Sequence, residues 1–444
     1  SRCRLFLLRI QIIKFKYTIS SYFLFIYAPT IFTKNSLDLE STLNRKMKNR
    51  KERTGLVKKY IAFLLSGMLF LTACSASFDS GASVQENAAQ SQETPLESSV
   101  ALLASNTVAG ETASSLASQN QKTDTVPWRT DLPENHQMDP AVFSRLHTDL
   151  ESSDVYAMVT VKDGVIIDEF YQDGYDENSV FQLNSCTKSF TGALIGIAIE
   201  QGYLGGVDDP PSDYLPQGLD LEDSGKQQIT LHHLLTHTSG LEWYEWAGRS
   251  NWQEFRTSEN WVDYILNRNL ISTPGSSFAY STGNSHLLAA ALENATGMGE
   301  LEFAHKNLFD ALGMTSVVWG MDPQGVADGG NGIAMTVQDA ARFGQLYLQG
   351  GQWNGEQLIP AQWVKQSTTA KNNGAGDGTG SYGYQWWIRS FQGYDTFYAF
   401  GAHGQFIFVV PQLELVTVIA SHSLSDSYAP RPYFSDYILS AYTG

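Results

Sequence analysis

Hydrophobic and polar positions alternate in residues 155–171, which read VYAMVTVKDGVIIDEFY. An alternation with a period of two on both sides of Lys162-Asp163-Gly164 predicts a β-hairpin. Strand-like segments return near the end of the chain, in YGYQWWI, FYAFGAHGQFIFVV and LELVTVIAS, where Pro411-Gln412-Leu413 joins the last two. Strands are therefore expected at the beginning and at the end of the sequence that runs from residue 155 to LELVTVIAS.

Between these strand patterns the apolar residues follow a helical period. Four segments are candidate helices: the apolar run TGALIGIAIE, ITLHHLLTHTSG with its glycine stop, GNSHLLAAALENATG and TVQDAARFGQLYLQGG. The sequence YFSDYILSAY predicts a short C-terminal helix. Strands at both ends with helices between them favour an α+β domain. We expect one antiparallel sheet built by both chain ends, flanked by helices and interrupted by an inserted helical region.

The first 125 residues lack the composition of a folded domain. Residues 1–46 are basic and apolar without a persistent period and precede the first methionine, Met47, so we interpret them as a non-native upstream extension. Residues 74–125 are rich in Ser, Ala, Gln and Glu, which predicts a disordered linker. The globular domain is expected at 126–444.

Residues 47–73 have the pattern of an export signal. A charged segment, MKNRKERTGLVKKY, is followed by the apolar IAFLLSGMLFLTA and then Cys74. Leu71-Thr72-Ala73-Cys74 resembles the lipobox of bacterial lipoproteins, which implies lipidation of Cys74 and an extracytoplasmic, membrane-anchored protein. A plain secretory signal with an incidental cysteine is the alternative.

Charge excludes one class of partner. Residues 1–73 carry 14 Lys+Arg and 3 Asp+Glu, so the remaining residues hold 29 − 14 = 15 basic and 46 − 3 = 43 acidic groups, a net charge of −28. So acidic a body repels phosphates, and nucleic-acid binding is not expected. The three cysteines, Cys3, Cys74 and Cys186, do not assemble a disulfide framework.

The candidate chemistry begins at NSCTKSF, residues 184–190. Ser185 and Lys188 are three positions apart and would share one face of a helix. A buried lysine has a lowered pKa and can accept a serine proton, and the N-terminus of the helix favours an oxyanion. In the alternative, Ser185 only caps the helix and Lys188 extends to solvent. The apolar run that follows favours the buried arrangement.

This S-x-x-K element resembles the nucleophile motif of the serine β-lactamase, penicillin-binding protein and related esterase superfamily. PGSSFAYSTGNSHLLAAALENATG is similar to the second element of that family, and ITLHHLLTHTSGLEW to a stretch of its class C, esterase and aminohexanoate-oligomer hydrolase branch. YGYQWWI and FGAHGQFIFVVP resemble the strands that flank the site. The resemblance implies the β-lactamase/DD-peptidase fold over about residues 150–425.

The resemblance also implies roles for individual residues. Ser185 would be the acylated nucleophile, Lys188 its base, and Tyr280 the phenol that transfers protons, with a pKa lowered by Lys188. The backbone N–H groups of Ser185 and Ala402 would form the oxyanion hole. His403 would stand near the position of the K-T-G lysine. No metal and no cofactor are expected.

The sequence departs from the family where β-lactams are bound. The second motif is Tyr280-Ser281-Thr282 instead of Y-x-N, and neither S-D-N nor K-T-G is present. We therefore expect a hydrolase of small esters or amides. A β-lactamase or D-alanyl-D-alanine carboxypeptidase acting on cell-wall-type substrates is one alternative, and a non-catalytic envelope-binding lipoprotein is another.

Two further groups carry weaker signals. His233 and His237 are four residues apart and would face together on a helix, but HLLTH lacks the glutamate of H-E-x-x-H. Trp243, Tyr244 and Trp246 follow HTSGL and could line a pocket for an apolar substrate, although aromatic residues are more often part of a core. Tyr244 is retained as a candidate substrate-binding residue.

Overall fold

The computed structural model describes residues 127–215, 225–245 and 250–444. The predicted extension at 1–46, the signal peptide at 47–73 and the linker at 74–125, together with Cys74, lie outside the described residues, as does Trp246. Within the described ranges, no helix is both long and apolar enough to cross a membrane.

Strands occupy both ends of the described region. Residues 155–171 form the predicted hairpin, with Asp163 and Gly164 at positive φ in its turn. The strands of the described residues are β1 (Val155–Lys162), β2 (Val165–Tyr171), β3 (Phe181–Gln182), β4 (Val318–Trp319), β5 (Ile333–Met335), β6 (Gln352–Trp353), β7 (Glu356–Gln357), β8 (Ser381–Tyr382), β9 (Trp387–Phe391), β10 (Tyr394–Gly401), β11 (Gln405–Val410) and β12 (Leu415–Ser421).

Seven of these strands form one antiparallel sheet in the order β2-β1-β12-β11-β10-β9-β8. The first and the last strands of the sequence are neighbours, with Met158 opposite Ile419. The prediction of an antiparallel sheet to which both chain ends contribute is therefore confirmed for the main sheet, while β3, β4 and β5 form a second sheet and β6 and β7 a third.

Two of the predicted strands are interrupted. FYAFGAHGQFIFVV forms the hairpin β10–β11, because His403 and Gly404 take positive φ angles of 65° and 88° and reverse the chain. YGYQWWI is divided between β8 and β9, with Gln385 at φ 63° between them. Apolar and aromatic residues lie close on both sides of each turn, so apolar content alone could not reveal the turns.

The predicted helical middle is present. The C-terminal stretch is also helical, but Tyr433–Ile438 is a π-helix and Leu439–Ala441 is a 3₁₀ turn. A π-helical turn, His305–Phe309, joins two of the α-helices. The α-helices of the described residues are α1 (Pro140–Leu150), α2 (Thr187–Glu200), α3 (Leu231–Leu235), α4 (Trp252–Thr257), α5 (Trp261–Leu266), α6 (Thr282–Thr296), α7 (Glu300–Ala304), α8 (Asp310–Leu312), α9 (Val337–Leu348) and α10 (Ala361–Ser367).

The sheet is apolar on both faces. Along β1, Ala157, Val159 and Val161 join the core formed with the inserted helices, whereas Met158 points to a second core that includes residues of α1 and of the C-terminal turns. α9 packs against β1, β11 and β12 on the first face. Helices thus cover both faces of the sheet, and the inserted helical region extends from one of them.

Helix α2 determines where the candidate chemistry lies. Every residue from Thr187 to Ala198 is buried. A helix that is apolar around its whole circumference belongs inside the protein. Because Lys188 is in the first turn of this helix, its side chain cannot reach solvent easily, and the remainder of the site must satisfy its hydrogen-bonding groups.

Candidate active site

The structure brings Ser185 and Lys188 together at the start of α2. Ser185 lies in the 3₁₀ turn Asn184–Cys186, whose first residue has φ 48°. Lys188 is only 1% exposed, and its Nζ lies 3.0 Å from Ser185 Oγ. The alternative in which Lys188 extends to solvent is therefore wrong.

The other partners of Lys188 determine the direction of its lone pair. Nζ also lies 3.0 Å from Thr282 Oγ1 and 2.8 Å from the carbonyl oxygen of Gly330. The carbonyl has no hydrogen to give, and the Thr282 hydroxyl donates its own to Glu245. When Lys188 loses a proton, the Ser185 hydroxyl, which donates to Asn331 Oδ1 in the resting site, can turn its hydrogen to the lone pair of Nζ. The network thus directs the neutral amine at the nucleophile.

Burial lowers the pKa of Lys188 to about 8 from its ordinary value of 10.5, while the charges of Glu245 and Asp328 act in the opposite direction. At pH 7 on the order of a tenth of the molecules would therefore hold the amine in its neutral form. The expectation that burial makes this lysine available as a base is in agreement with its surroundings.

Tyr280 adjoins the same pair from the loop before α6. Lys188 Nζ lies 4.9 Å from the centroid of the Tyr280 ring, and the phenol also interacts with the Ser185 side chain. The ring stacks on Trp387 with centroids 5.5 Å apart. The structure thus brings together three residues that span 95 positions of the sequence.

The expectation that Lys188 lowers the pKa of Tyr280 is wrong. The pKa of this phenol is raised well above its ordinary value, because burial disfavours the phenolate and the groups of Tyr382 and Glu245 add to the effect. Tyr280 therefore holds its proton in the resting site. It is placed to donate a proton rather than to accept one.

Thr282 and Glu245 form a second set of polar contacts around the lysine. The Glu245 carboxylate accepts hydrogen bonds from Thr282 Oγ1 and, at 3.0 Å, from Thr282 N. Thr282 occupies the third position of the Tyr280-Ser281-Thr282 motif, where the family has asparagine. Its hydroxyl accepts from Lys188, so the threonine provides a polar contact in place of the expected amide.

Asn331 contacts the nucleophile from the turn before β5. The Ser185 hydroxyl donates to Asn331 Oδ1 at 2.9 Å, and Asn331 Nδ2 donates to Thr282 Oγ1 at 3.2 Å. The neighbouring Gly330 must be glycine, since a Cβ there would lie 2.5 Å from Thr282 Cγ2. This close approach allows the Gly330 carbonyl to reach Lys188.

The end of β10 lies against the nucleophile turn. A Cβ on Gly401 would lie 2.3 Å from the carbonyl oxygen of Leu183 and 3.1 Å from Ser185 N. The next residue, Ala402, has its carbonyl fixed by Asn184 Nδ2 at 2.9 Å. Ala402 is therefore adjacent to Ser185, where the sequence analysis predicted the second oxyanion-hole residue, and its role stays a prediction.

His403 lies in the turn between β10 and β11, beside the site. Its N–H donates to Ser427 Oγ at 2.9 Å, and its ring lies 5.3 Å from that of His422. Because its backbone N–H already has a partner, Ala402 remains the better candidate for the oxyanion hole. Substrate contact by the His403 side chain stays a prediction.

The aromatic group after HTSGL divides in the structure. Trp243 is 4% exposed and packs in the core, in contact distance of Gly283, so it does not line an open pocket. Tyr244 is half-buried, directly before Glu245, and its N–H donates to Asn251 Oδ1 at 2.6 Å. Substrate binding by Tyr244 stays a prediction.

The histidines of HLLTH do not share a helical face. Helix α3 ends at Leu235, and His237 lies beyond it with φ 56° and its Nε2 3.1 Å from the Tyr382 hydroxyl. In the part of the chain that the structure describes, no group of three or more His, Cys, Asp or Glu side chains could hold a metal ion.

A family model described as Beta-lactamase matches residues 141–436, which include every residue of the site just described. The chain belongs to the Beta-lactamase family. Membership in the Beta-lactamase family accounts for the fold and the arrangement of the site, whereas substrate preference depends on individual side chains.

Curated relatives have different activities in their names. The 6-aminohexanoate-dimer hydrolase of Paenarthrobacter ureafaciens is 23% identical over 61% of this chain and 73% of its own length. The D-alanyl-D-alanine-carboxypeptidase/endopeptidase AmpH of Escherichia coli strain K12 is 29% identical over 38% and 49%, respectively. Esterase EstB of Burkholderia gladioli is 32% identical over 27% and 33%. The chain thus spans less than half the length of the last two.

Among solved structures, the putative 6-aminohexanoate-dimer hydrolase from Bacillus anthracis is similar in fold. It aligns with a TM-score of 0.60 and 24% sequence identity over 71% of this chain and 86% of that chain. The resemblance to the β-lactamase/DD-peptidase fold is therefore confirmed.

Sequence reasoning did not identify Asn331, Glu245 or the structural role of Gly330 in this Beta-lactamase-family site. Asp-Gly-Gly-Asn at 328–331 is a sequence typical of a turn, and this was the available signal. Turn residues occur in many loops, however, and nothing local indicates that this one meets the nucleophile. Glu245 offered no signal beyond a carboxylate next to aromatic residues.

Proposed function

We propose that the protein is a serine hydrolase that cleaves a small ester or amide through an acyl-enzyme, using Ser185, Lys188 and Tyr280. The observation that carries this proposal is the buried amine of Lys188, 3.0 Å from Ser185 Oγ, whose other two partners cannot donate to its lone pair. A serine hydroxyl needs such a base to become a nucleophile at neutral pH.

In the acylation step the Ser185 proton moves to the neutral amine of Lys188 as Oγ bonds to the acyl carbon. The π electrons of the carbonyl move to its oxygen, and the N–H groups of Ser185 and Ala402 stabilise this oxyanion. When the tetrahedral intermediate collapses, the bond to the leaving group breaks. The alcohol or amine departs with a proton from Tyr280, and the ammonium of Lys188 then restores the phenol.

In the deacylation step a water molecule replaces the leaving group. Its oxygen bonds to the acyl carbon while its proton passes to the base, and Ser185 Oγ leaves the collapsing intermediate and regains a proton. The acid product carries the acyl group, and the enzyme returns to its starting state. This scheme needs no metal or cofactor.

Ester and small-amide substrates are supported by the relatives and by the missing motifs. One relative is named a 6-aminohexanoate-dimer hydrolase and another an esterase. Neither S-D-N nor K-T-G is present in this chain to hold a β-lactam or a D-alanyl-D-alanine peptide. The similarity to AmpH favours the carboxypeptidase as the second candidate function.

The central test uses a fluorophosphonate probe and p-nitrophenyl esters. We expect the wild type to be labelled and to hydrolyse the ester, and we expect Ser185→Ala to lose both while remaining folded by circular dichroism. Folded wild type that takes up no label would instead support a non-catalytic envelope-binding lipoprotein. Nitrocefin turnover faster than ester turnover would favour a β-lactamase.

Tyr280→Phe is predicted to lower kcat by roughly 10²-fold, because general acid catalysis to the leaving group typically contributes that much. The ring and its stacking on Trp387 are kept, so the melting temperature should change little. Steady-state kinetics with a poor and a good alcohol leaving group provide the measurement. The loss should be larger for the poor leaving group, and equal activity of mutant and wild type would remove Tyr280 from proton transfer.

We also propose that Cys74 is lipidated and anchors the protein outside the cytoplasmic membrane. The lipobox-like sequence Leu71-Thr72-Ala73-Cys74 after an export signal supports this proposal. In cells fed radioactive palmitate, wild type should be labelled and Cys74→Ala should not. Label that persists in Cys74→Ala would show that the cysteine is not the attachment site.

A further inference from the structure

The turn that supplies Gly330 and Asn331 to the site is held by a buried carboxylate. Asp328 is 3% exposed, and its Oδ1 accepts hydrogen bonds from Gly330 N at 3.1 Å and Asn331 N at 3.0 Å. Its backbone carbonyl accepts from Trp319 Nε1 at 3.1 Å. Asp328 thereby fixes the two residues whose polar groups contact Lys188 and Ser185.

The second oxygen of this carboxylate has a partner outside the site. Arg256 Nη1 lies 2.5 Å from Asp328 Oδ2, and the Arg256 side chain is 39% exposed. The guanidinium carbon lies 4.3 Å from the Trp261 ring centroid and 5.3 Å from that of Trp252. The ring faces hold the arginine in place, so a half-exposed cation is positioned against a buried anion.

The charge of Asp328 acts on Lys188. Glu245 and Asp328 both favour the protonated amine, and burial opposes them. Six titratable or charged groups face Lys188 or Asp328 from the surrounding elements. They are Cys186 in the nucleophile turn, His237 after α3, Glu245 in the loop that follows, Arg256 near the end of α4, Tyr280 before α6 and Glu300 in α7. Of these, Arg256 is the permanent cation.

We propose that Arg256 and Asp328 act as a pair of positioning residues for Lys188. Asp328 orders the turn that contacts the amine and the nucleophile, and Arg256 offsets the negative charge that this carboxylate brings near the amine. The inference rests on the proposed function, because it assumes that neutral Lys188 is the active form. Arg256 itself contacts none of the reacting groups.

The pair makes a prediction about the acid limb of kcat/KM against pH for a p-nitrophenyl ester. In Arg256→Met the uncompensated carboxylate should move this limb to higher pH by about half a unit to one unit, with three- to tenfold lower kcat/KM below the limb and little loss above it. Arg256→Lys should restore most of the wild-type profile. Asp328→Asn should move the limb to lower pH, and the double variant Arg256→Met/Asp328→Asn should lie near wild type.

Arg268→Met is the matched control. The guanidinium carbon of Arg268 lies 4.2 Å from the Tyr264 ring centroid, and its Nε donates a hydrogen bond to the Tyr264 carbonyl oxygen. The same substitution there therefore removes a similar stacked arginine from a neighbouring segment. Its profile should match wild type. A purely structural Arg256 would lower kcat/KM equally at all pH values and leave the limb unmoved, and that result would overturn the proposal.

The comparison of Arg256→Met with Arg256→Lys does not depend on the folding of the Asp328 variants. An unmoved limb in Arg256→Met, alongside an active wild type and an inactive Ser185→Ala, would refute this inference and leave the proposed function intact. Activity that persists in Ser185→Ala would instead refute the proposed function.

Discussion

Lys188→Arg is expected to lower kcat by about 10³-fold or more, even though the variant keeps a positive charge. General base catalysis typically contributes 10²–10⁴-fold, and a guanidinium cannot lose its proton in a protein. A planar guanidinium also cannot reproduce the three contacts that one nitrogen makes with Ser185, Thr282 and Gly330. Steady-state ester hydrolysis at pH 7–9 provides the measurement.

Lys188→Met complements this test, because methionine is close in length to lysine and removes the base without inserting a larger group. Lys365→Arg in α10 is the matched control, since Lys365 is exposed and the same substitution there should leave kcat unchanged. Circular dichroism should show that both Lys188 variants are folded. If folded Lys188→Arg or Lys188→Met retained kcat within tenfold of wild type, the base would have to be another group.

Gly401→Ala is expected to lower kcat by roughly 10²–10³-fold, the loss that accompanies removal of one oxyanion-hole donor. A Cβ at this position would lie 2.3 Å from the Leu183 carbonyl oxygen, and backbone atoms on both sides cannot move independently. β10 and the turn that carries Ser185 must separate. The N–H groups of Ser185 and Ala402 would then no longer point to a common oxyanion.

Gly299→Ala is the control for this substitution. No atom lies within 4 Å of a Cβ built at Gly299, and its φ of −59° suits any residue. We expect normal kinetics for it, and for Gly401→Ala a larger fall in kcat than rise in KM. A crystal structure of Gly401→Ala with an unchanged distance between β10 and the nucleophile turn, together with wild-type kcat, would show that the close approach is not needed.

The sequence was sufficient to predict the elements that carry local signals. The hairpin at 155–171 followed from alternation around Asp163-Gly164, and the burial of Lys188 followed from the apolar residues of α2 that come after it. The resemblance to the Beta-lactamase family added Tyr280, which no local pattern connects to Ser185. Each of these predictions depends either on residues that are close in sequence or on a motif of the family.

Other parts of the site depend on contacts between distant segments. Asn331 meets Ser185 across 146 positions and Thr282 meets Lys188 across 94. The rise in the pKa of Tyr280 results from burial among residues of β8 and of the loop at Glu245, so the sequence-based expectation had the opposite direction. The turns within FYAFGAHGQFIFVV and YGYQWWI were missed because apolar and aromatic residues lie close on both sides of each turn.

By itself the sequence determined the chemistry available to this protein: a serine and a lysine one turn apart at the start of an apolar helix, within an acidic domain whose two ends form one sheet. Only the tertiary structure decided how that chemistry is controlled. The direction of the lone pair on Lys188 follows from the fact that neither the Gly330 carbonyl nor the Thr282 hydroxyl can donate a hydrogen to it. The charge around the amine depends on Glu245, Asp328 and Arg256. These effects arise from distances between segments far apart in the chain, and spacing along a sequence does not encode such distances.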